Sequence, residues 1–333
     1  MRVGIFHTAF IGDVIQTGLA IEALSSEGHD VILFAKKSPL SVFQGDPRVK
    51  EAYPIHKGRG LEKIRQIFTI RNLLAKQKLD LCLVPHESPM TRLIFWKSPF
   101  PWVGRVPDQD PKIHESLKIL QMIPEAYLKK DYSSLARPIL RGGTPLPVGT
   151  EPKFPYFLVS PGSVWATKRY PPELFAQVIG ILFQHLKTEF PHLRCILAGS
   201  PEEAPIIQTI LDHSKAHAHR ISHTVGIWNL PQLITASRGA QFIIANDSSP
   251  FHMGVGVSTP TFGIFGPTSF ERGFGPAGDR AFAVNHTGLY KDLRPLTCQP
   301  CSPHGHKVCP KGHHRCMNEL SPEDIASWIL SKR

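Results

Sequence analysis

Short apolar runs rich in Val, Ile, Leu and Phe alternate along this chain with longer stretches whose apolar positions recur at helical spacing. The runs are VGIF near the start, DVILFA from Asp30 and DLCLVP from Asp80, then YFLVSPGS, RCILAGS and AQFIIAND in the second half. Strands of this kind, separated by helical patterns, predict parallel sheets with crossover helices, an α/β architecture. Between the halves, Arg137 to Pro155 carries Pro138, Gly142, Gly143, Pro145, Pro147, Gly149, Pro152 and Pro155. So many breakers suit neither a helix nor a central strand, and the stretch reads as an interdomain linker. The expected division is 1–150 and 151–333, two Rossmann-like domains, in keeping with a length of 333 residues that exceeds one growing core. No fixed-period repeat is visible, which excludes solenoids and propellers. Ser321, Pro322, Glu323 and Asp324 open a final helix with a cap, an early proline and first-turn acids. Ligands of open α/β sheets bind beyond the carboxyl ends of the strands, so the chemistry is expected in a cleft that the two domains face.

Composition narrows the class. Hydrophobic residues are 41% of the chain and charged residues 20%, the balance of a globular protein that folds in water. No apolar run approaches the ~18–20 residues that cross a bilayer, and Met1 to Ile11, interrupted by Arg2 and His7, reads as a first strand and not as a signal peptide. A formal charge of +11 favours anionic partners such as phosphates, an acidic membrane leaflet or nucleic acid, although the basic residues are scattered and also suit a solvated surface.

Four polar segments follow predicted strands. In Thr8 to Thr17, Asp13 sits where the strand gives way to a helix carrying Leu19, Ile21, Ala23 and Leu24. Its ordinary role would be a first-turn acid, yet a carboxylate at a strand end can also take the proton of an attacking hydroxyl. In Ser160 to Pro172, Gly162 and Ser163 can turn amides and a hydroxyl toward an anion, and Lys168 and Arg169 add positive charge, a set suited to a diphosphate. In Ala198 to Glu203, either Glu202 or Glu203 can hold ribose hydroxyls or simply serve the helix start. In Ala245 to Met253, Asp247, Ser248 and Ser249 mark a helix N-terminus with amides open to phosphate, and His252 lies on its first turns.

These segments resemble the bacterial heptosyltransferases, glycosyltransferase family 9, over nearly the whole chain. The matching pieces are GDVIQTGLAIEAL, PGSVWATKRYP, the AGSPEE turn, NDSSPFHMG and GIFGPTS, in the family's order, with NDS and KRYP closer to the second heptosyltransferase type. The resemblance implies the GT-B fold, an inverting displacement without a required metal or other cofactor, an ADP-heptose donor and an acceptor in the inner core of lipopolysaccharide. Asp13 then matches the general base and Lys168 the lysine beside the donor phosphates. Ser163, Glu202 or Glu203, Asp247, Ser248 and His252 match the donor-binding positions, and Arg169 adds its charge beside Lys168. One departure is Ser249, where the family has glycine, followed by Pro250; the added side chain restricts backbone torsions there. The expected setting is cytoplasmic, peripheral at the inner membrane, with a lipid-linked core oligosaccharide as acceptor partner. Arg92, Lys97 and Arg105 are candidates for its phosphates, with a solvated surface as the equal alternative.

Cys82 and Cys195 lie singly in apolar runs and read as core. Cys298, Cys301, Cys309 and Cys316 crowd one stretch with His304, His306, His313 and His314. The residue types suit a structural zinc, with free thiols in a stabilising flap as the rival. Competing functions are the same fold with another nucleotide sugar, a catalytically inactive assembly partner, and a zinc-containing nucleic-acid-binding protein. The last lacks any recognition-helix or aromatic RNA-binding motif, so no nucleic-acid partner is expected.

Overall fold

The structure, a computed structural model, describes all residues except 57, 59, 106–109 and 291–295. The chain divides into two compact units, Met1–Thr144 and Pro145–Arg333.

In the first unit, β1 (Arg2–His7), α1 (Ile11–Ile15), α2 (Gly18–Ser26), β2 (Asp30–Ala35), α3 (Lys37–Leu40), β3 (Val49–Pro54), α4 (Leu61–Lys76), β4 (Leu81–Val84), α5 (Pro89–Phe95), β5 (Trp102–Gly104) and α6 (Glu115–Leu120) follow in order. The strands form one parallel sheet, β3-β2-β1-β4-β5. Phe6, Phe34, Cys82 and Val84 pack on Ile70, Leu74, Ile94 and Phe95 of α4 and α5, all 4% exposed or less. Burying each such large side chain contributes roughly 1.5–3 kcal/mol, which is why continuous apolar strands end up between helices.

In the second unit, β6 (Tyr156–Ser160), α7 (Pro172–His185), β7 (Arg194–Leu197), α8 (Ala204–His213), β8 (Ile221–His223), α9 (Leu230–Gly239), β9 (Ile243–Asn246), α10 (Ser249–Gly256), β10 (Thr261–Phe265), β11 (Ala281–Asn285), α11 (His286–Tyr290), α12 (Arg315–Asn318) and α13 (Pro322–Lys332) build a parallel sheet β11-β10-β9-β6-β7-β8. Phe157, Val159, Cys195 and Leu197 pack against Phe175, Ile179 and Leu182 of α7. Ser321 caps α13, its hydroxyl accepting from Asp324 N at 3.1 Å. Both units are Rossmann-like, and Cys82 and Cys195 are buried core residues.

The structure adds strands that the apolar pattern did not announce. β3, β5, β8 and β11 flank the two sheets at their edges; β3 alternates half-buried and exposed positions, and β8 and β5 are three residues each. The single helix expected after Asp13 is two, α1 and α2, with Thr17 Oγ1 turned back to donate to Val14 O at 2.7 Å. Gly18 opens the second: a Cβ there would stand 2.4 Å from Ile139 O. The proline-glycine stretch is anchored on the first unit as far as Gly143, whose N donates to Gln44 O, while Arg48 reaches Ile139 O at 2.9 Å. Arg48 also pairs with Asp46 and Glu22, so this crossing of the chain is held by a nearly buried charge cluster.

Candidate active site

In a Rossmann sheet, strand order reverses at one point, and the loops leaving the two strands there diverge to leave a crevice. In the first unit that point lies between β1 and β4. The loop after β1 delivers Asp13, half-buried, into the first turn of α1, where its Oδ2 accepts from Phe10 N at 3.1 Å. Burial raises the Asp13 carboxyl above its ordinary value, a rise that Glu115 assists, while the Phe10 amide and His86 oppose it. Asp13 is thus both the first-turn acid of its helix and a carboxylate whose proton affinity is lifted toward the range useful to a base. His86, on the loop after β4, and Glu115, at the start of α6, were not singled out in the sequence; only the strand-end position of His86 hinted at it. Glu115 Oε1 accepts from Lys118 Nζ and Arg105 Nη2, both at 2.9 Å, so Arg105 is tied to the carboxylate that neighbours Asp13. Arg92 is largely exposed, with Nε 3.2 Å from Glu87 Oε2, and Lys97 Nζ lies over the Trp96 ring.

In the second unit the reversal lies between β6 and β9, and the loops after both strands carry the remaining candidates. Asn246, fully buried at the end of β9, binds the β6 loop at two places: its Oδ1 accepts from Tyr170 N and its Nδ2 donates to Pro161 O. That cross-link sets Lys168 beside Asp247. Lys168 Nζ lies 2.6 Å from Asp247 Oδ2, with the two side chains 12% and 9% exposed, and Thr268 Oγ1 donates to the same oxygen at 2.6 Å. Arg169 Nε donates to Ser163 O at 2.8 Å. Ser248 precedes α10 in extended conformation; Pro250 has no amide hydrogen and Phe251 N donates to Ser248 O at 3.1 Å, so of the first three helical positions only Ser249 has an amide open to a ligand. Ser249 is the first helical residue, with an ordinary negative φ, so the position makes no demand for glycine. His252 is buried, edge-on to the rings of Phe251 and Phe274.

The two acids after β7 separate. Glu202 is exposed, whereas the Glu203 carboxylate accepts from Ser200 N at 2.8 Å and stands against Gly162, where a Cβ would meet it. A lysine, an arginine and one open amide on the loops after β6 and β9, with a carboxylate from the loop after β7 against Gly162, are groups able to meet the phosphates and the ribose hydroxyls of a nucleoside diphosphate.

The Cys/His stretch folds onto this loop. Cys298 Sγ lies 3.8 Å from His313 Nε2, close to the roughly 3.6 Å expected between a sulfur and a nitrogen on one tetrahedral zinc. Burial pushes the Cys316 thiol up to about 12, and charge on Cys301, Cys309 and Cys298 adds to the rise. Burial acts the same way on Cys309, but amides of residues 311–314 turned toward it outweigh that and lower it, favouring thiolate. Among the described residues, no three His, Cys, Asp or Glu side chains stand together closely enough to hold an ion as they are.

The sequence pattern of glycosyltransferase family 9 (heptosyltransferase) matches residues 129–301, more than half of the chain and the whole donor-side loop set. The chain belongs to glycosyltransferase family 9. This family 9 glycosyltransferase is 23% identical to lipooligosaccharide heptosyltransferase 2 of Campylobacter jejuni subsp. jejuni serotype O:2 over 330 residues, 98% of this chain and 96% of the relative. It superposes on E. coli ADP-heptose LPS heptosyltransferase II with a TM-score of 0.72 and 15% identity, covering 100% of this chain and 98% of that one. The family 9 transferase of Veillonella parvula gives 0.76 at 17% identity, covering 100% and 97%. E. coli heptosyltransferase WaaC with ADP gives 0.73 at 14% identity, covering both chains fully. These likenesses establish the GT-B fold.

Proposed function

We propose that this transferase moves heptose from ADP-heptose onto the inner core of a lipopolysaccharide or lipooligosaccharide, with inversion at the anomeric carbon. What carries the reading is the Lys168–Asp247 pair beside the Ser249 amide at the start of α10, groups suited to a diphosphate within a heptosyltransferase family. The acceptor hydroxyl oxygen forms a bond to the anomeric carbon as the bond from that carbon to ADP breaks. Asp13 takes the hydroxyl proton, and its raised proton affinity suits the task. The departing ADP carries the bonding electron pair away, and Lys168, Arg169 and the amides near Ser163 and Ser248 meet its charge, so no catalytic metal is needed. Residues 1–150 take the acceptor and 151–333 the donor, with Glu203 at the ribose and His252 lining the pocket.

Two partners complete the reading. Ile64, Phe68, Leu93 and Trp96 are 52–64% exposed on α4 and the end of α5, with Arg92 and Lys97 among them, a composition that suits an anionic leaflet. No helix among the described residues is long and apolar enough to cross a membrane, so contact is peripheral. Cys298, Cys301, Cys309 and Cys316 are ligands of a structural zinc, a reading supported by four free thiols within one stretch.

The deciding experiment incubates the chain with ADP-heptose, other nucleotide sugars and a panel of truncated core glycolipids, with products read by mass spectrometry. Addition of one heptose from ADP-heptose is expected. Transfer of a different sugar, or none to any acceptor, refutes the assignment.

A further inference from the structure

The donor-side function leaves the Cys/His stretch without a task, yet its hydrogen bonds run to the residue beside Lys168. Thr167, 4% exposed, is gripped from three sides. Its hydroxyl accepts from His306 N at 2.8 Å and donates to His306 O at 2.9 Å. Its amide also points to His306 O, and its own carbonyl accepts from His314 Nε2 at 2.8 Å. Gly305, at φ +95, passes so near that a Cβ would stand 2.8 Å from Trp165 and 3.2 Å from Lys168 Cε.

The same stretch reaches the turn that supports Asp247. Cys301 N and Ser302 N both donate to Pro267 O, and Gln299 Nε2 donates to Gly266 O. Thr268, next in that turn, bonds Asp247 Oδ2. The stretch therefore touches both halves of the Lys168–Asp247 pair, and each thiol lies within a few residues of one of these contacts: Cys301 on Pro267, Cys309 between His306 and His314, Cys316 just beyond His314.

An ion held by the thiols would tie together the backbone that runs between them. That backbone is bonded to Thr167. We propose that the stretch from Cys298 to Cys316 is a brace held by a zinc ion and joined through Thr167 to Lys168, so that affinity for a nucleoside diphosphate follows metal occupancy of the thiols. The proposal rests on the donor role given to Lys168 above. Thr167 is a positioning residue: it acts through Lys168 and touches no reacting atom. Coupling between two sites is reciprocal, so the nucleotide must hold the metal more tightly by the same factor as the metal holds the nucleotide.

The test uses the full chain, with zinc measured by elemental mass spectrometry and ADP binding by titration calorimetry, before and after chelation. Wild type is expected to bind ADP about tenfold more weakly once depleted, in the usual range of coupling between sites. ADP is expected to raise the affinity for zinc by the same factor, read at equilibrium against a competing chelator, and this needs no variant. Thr167→Val, which keeps the side-chain shape and removes the hydroxyl bonds, should bind ADP like depleted wild type and lose the coupling, and Thr167→Ser should restore both. Equal ADP affinity with and without zinc, or a purified chain that takes up no zinc, overturns the brace while leaving Lys168 in place. Coupling that survives in Thr167→Val overturns the route through that residue. Failure of wild type to bind ADP in either state refutes the donor role itself.

Discussion

Replacing Asp13 separates two roles that one carboxylate fills. Its Oδ2 accepts from Phe10 N and so serves the start of α1, an interaction whose loss costs about 1 kcal/mol. Asparagine keeps an oxygen able to accept that bond, and alanine does not. Neither can take a proton from the acceptor, so both variants should lose ~10²–10⁴ in kcat, equivalent to about 3–5 kcal/mol of barrier. Stability should move differently. Burial raises the folded-state pKa of Asp13 above its unfolded value, so the group's favourable contribution is complete below the unfolded pKa and is lost as pH rises through the folded one. At pH 7 the ionised carboxylate is therefore a liability in the folded state, and Asp13→Asn removes it. Chemical denaturation at pH 7 should find Asp13→Asn at least as stable as wild type and Asp13→Ala less stable than Asp13→Asn. The advantage of Asp13→Asn should vanish in acid, where wild type is also neutral.

The same raised pKa sets the acid side of the rate profile. With wild type, kcat/KM should fall on acidification at a pH above the ordinary carboxylate value of 3.8. Transfer is followed by mass spectrometry of the glycolipid, and stability by denaturant midpoints on the same preparations. An Asp13→Asn enzyme keeping more than a tenth of wild-type kcat would remove Asp13 from the reaction. One as destabilised as Asp13→Ala would show that the buried charge is no liability.

Other perturbations test the remaining contacts. Lys168→Met takes the cation away from the nearly buried Asp247 and should cost about 3 kcal/mol of stability while raising the donor KM; an unchanged KM removes Lys168 from the phosphates. Gly162→Ala pushes a methyl into the Glu203 carboxylate and should weaken ADP about tenfold, within the cost of one lost charged hydrogen bond, whereas Glu202→Ala should leave ADP affinity unchanged; the reverse order would assign the ribose to Glu202. Phe68→Glu with Trp96→Glu should abolish flotation with anionic vesicles and leave transfer to a short soluble acceptor intact; undiminished flotation places the membrane contact elsewhere. In the first unit, Arg48 holds the buried Asp46 below its ordinary pKa, although burial alone would raise it. That stabilisation is present above the unfolded value and lost as pH falls through the lowered one, so Arg48→Met should cost about 3–5 kcal/mol at pH 7 and less in acid; a cost independent of pH removes the charge argument.

What the residues disclosed and what they withheld follow from where information sits in a parallel sheet. Central strands such as β1, β6 and β9 are buried on both faces and stand out as apolar runs, while edge strands such as β3 and β8 keep one side in water and look like their surroundings. Because ligands of open α/β sheets bind just past the central strands, Asp13, Lys168 and Asp247 stood out by position as candidates, and the resemblance to family 9 supplied the roles proposed for them. Their partners could not. Which loop stands beside the β1 loop depends on strand order, and that order brings His86 and Glu115 to Asp13 and Asn246 to the β6 loop without leaving any mark in local pattern. The cysteine stretch is the extreme case. Its residue types announced a metal-binding composition, but the contact that gives it a bearing on transfer joins His306 to Thr167 across 139 residues. A threonine between an alanine and a lysine carries no sign of such a role, because the role is created only when the returning chain lays its backbone against it. That is also why the test of the brace has to be made at Thr167 and not at a cysteine: removing a thiol disturbs the metal, the loop and the lysine together, whereas removing one hydroxyl cuts the connection and leaves both ends intact.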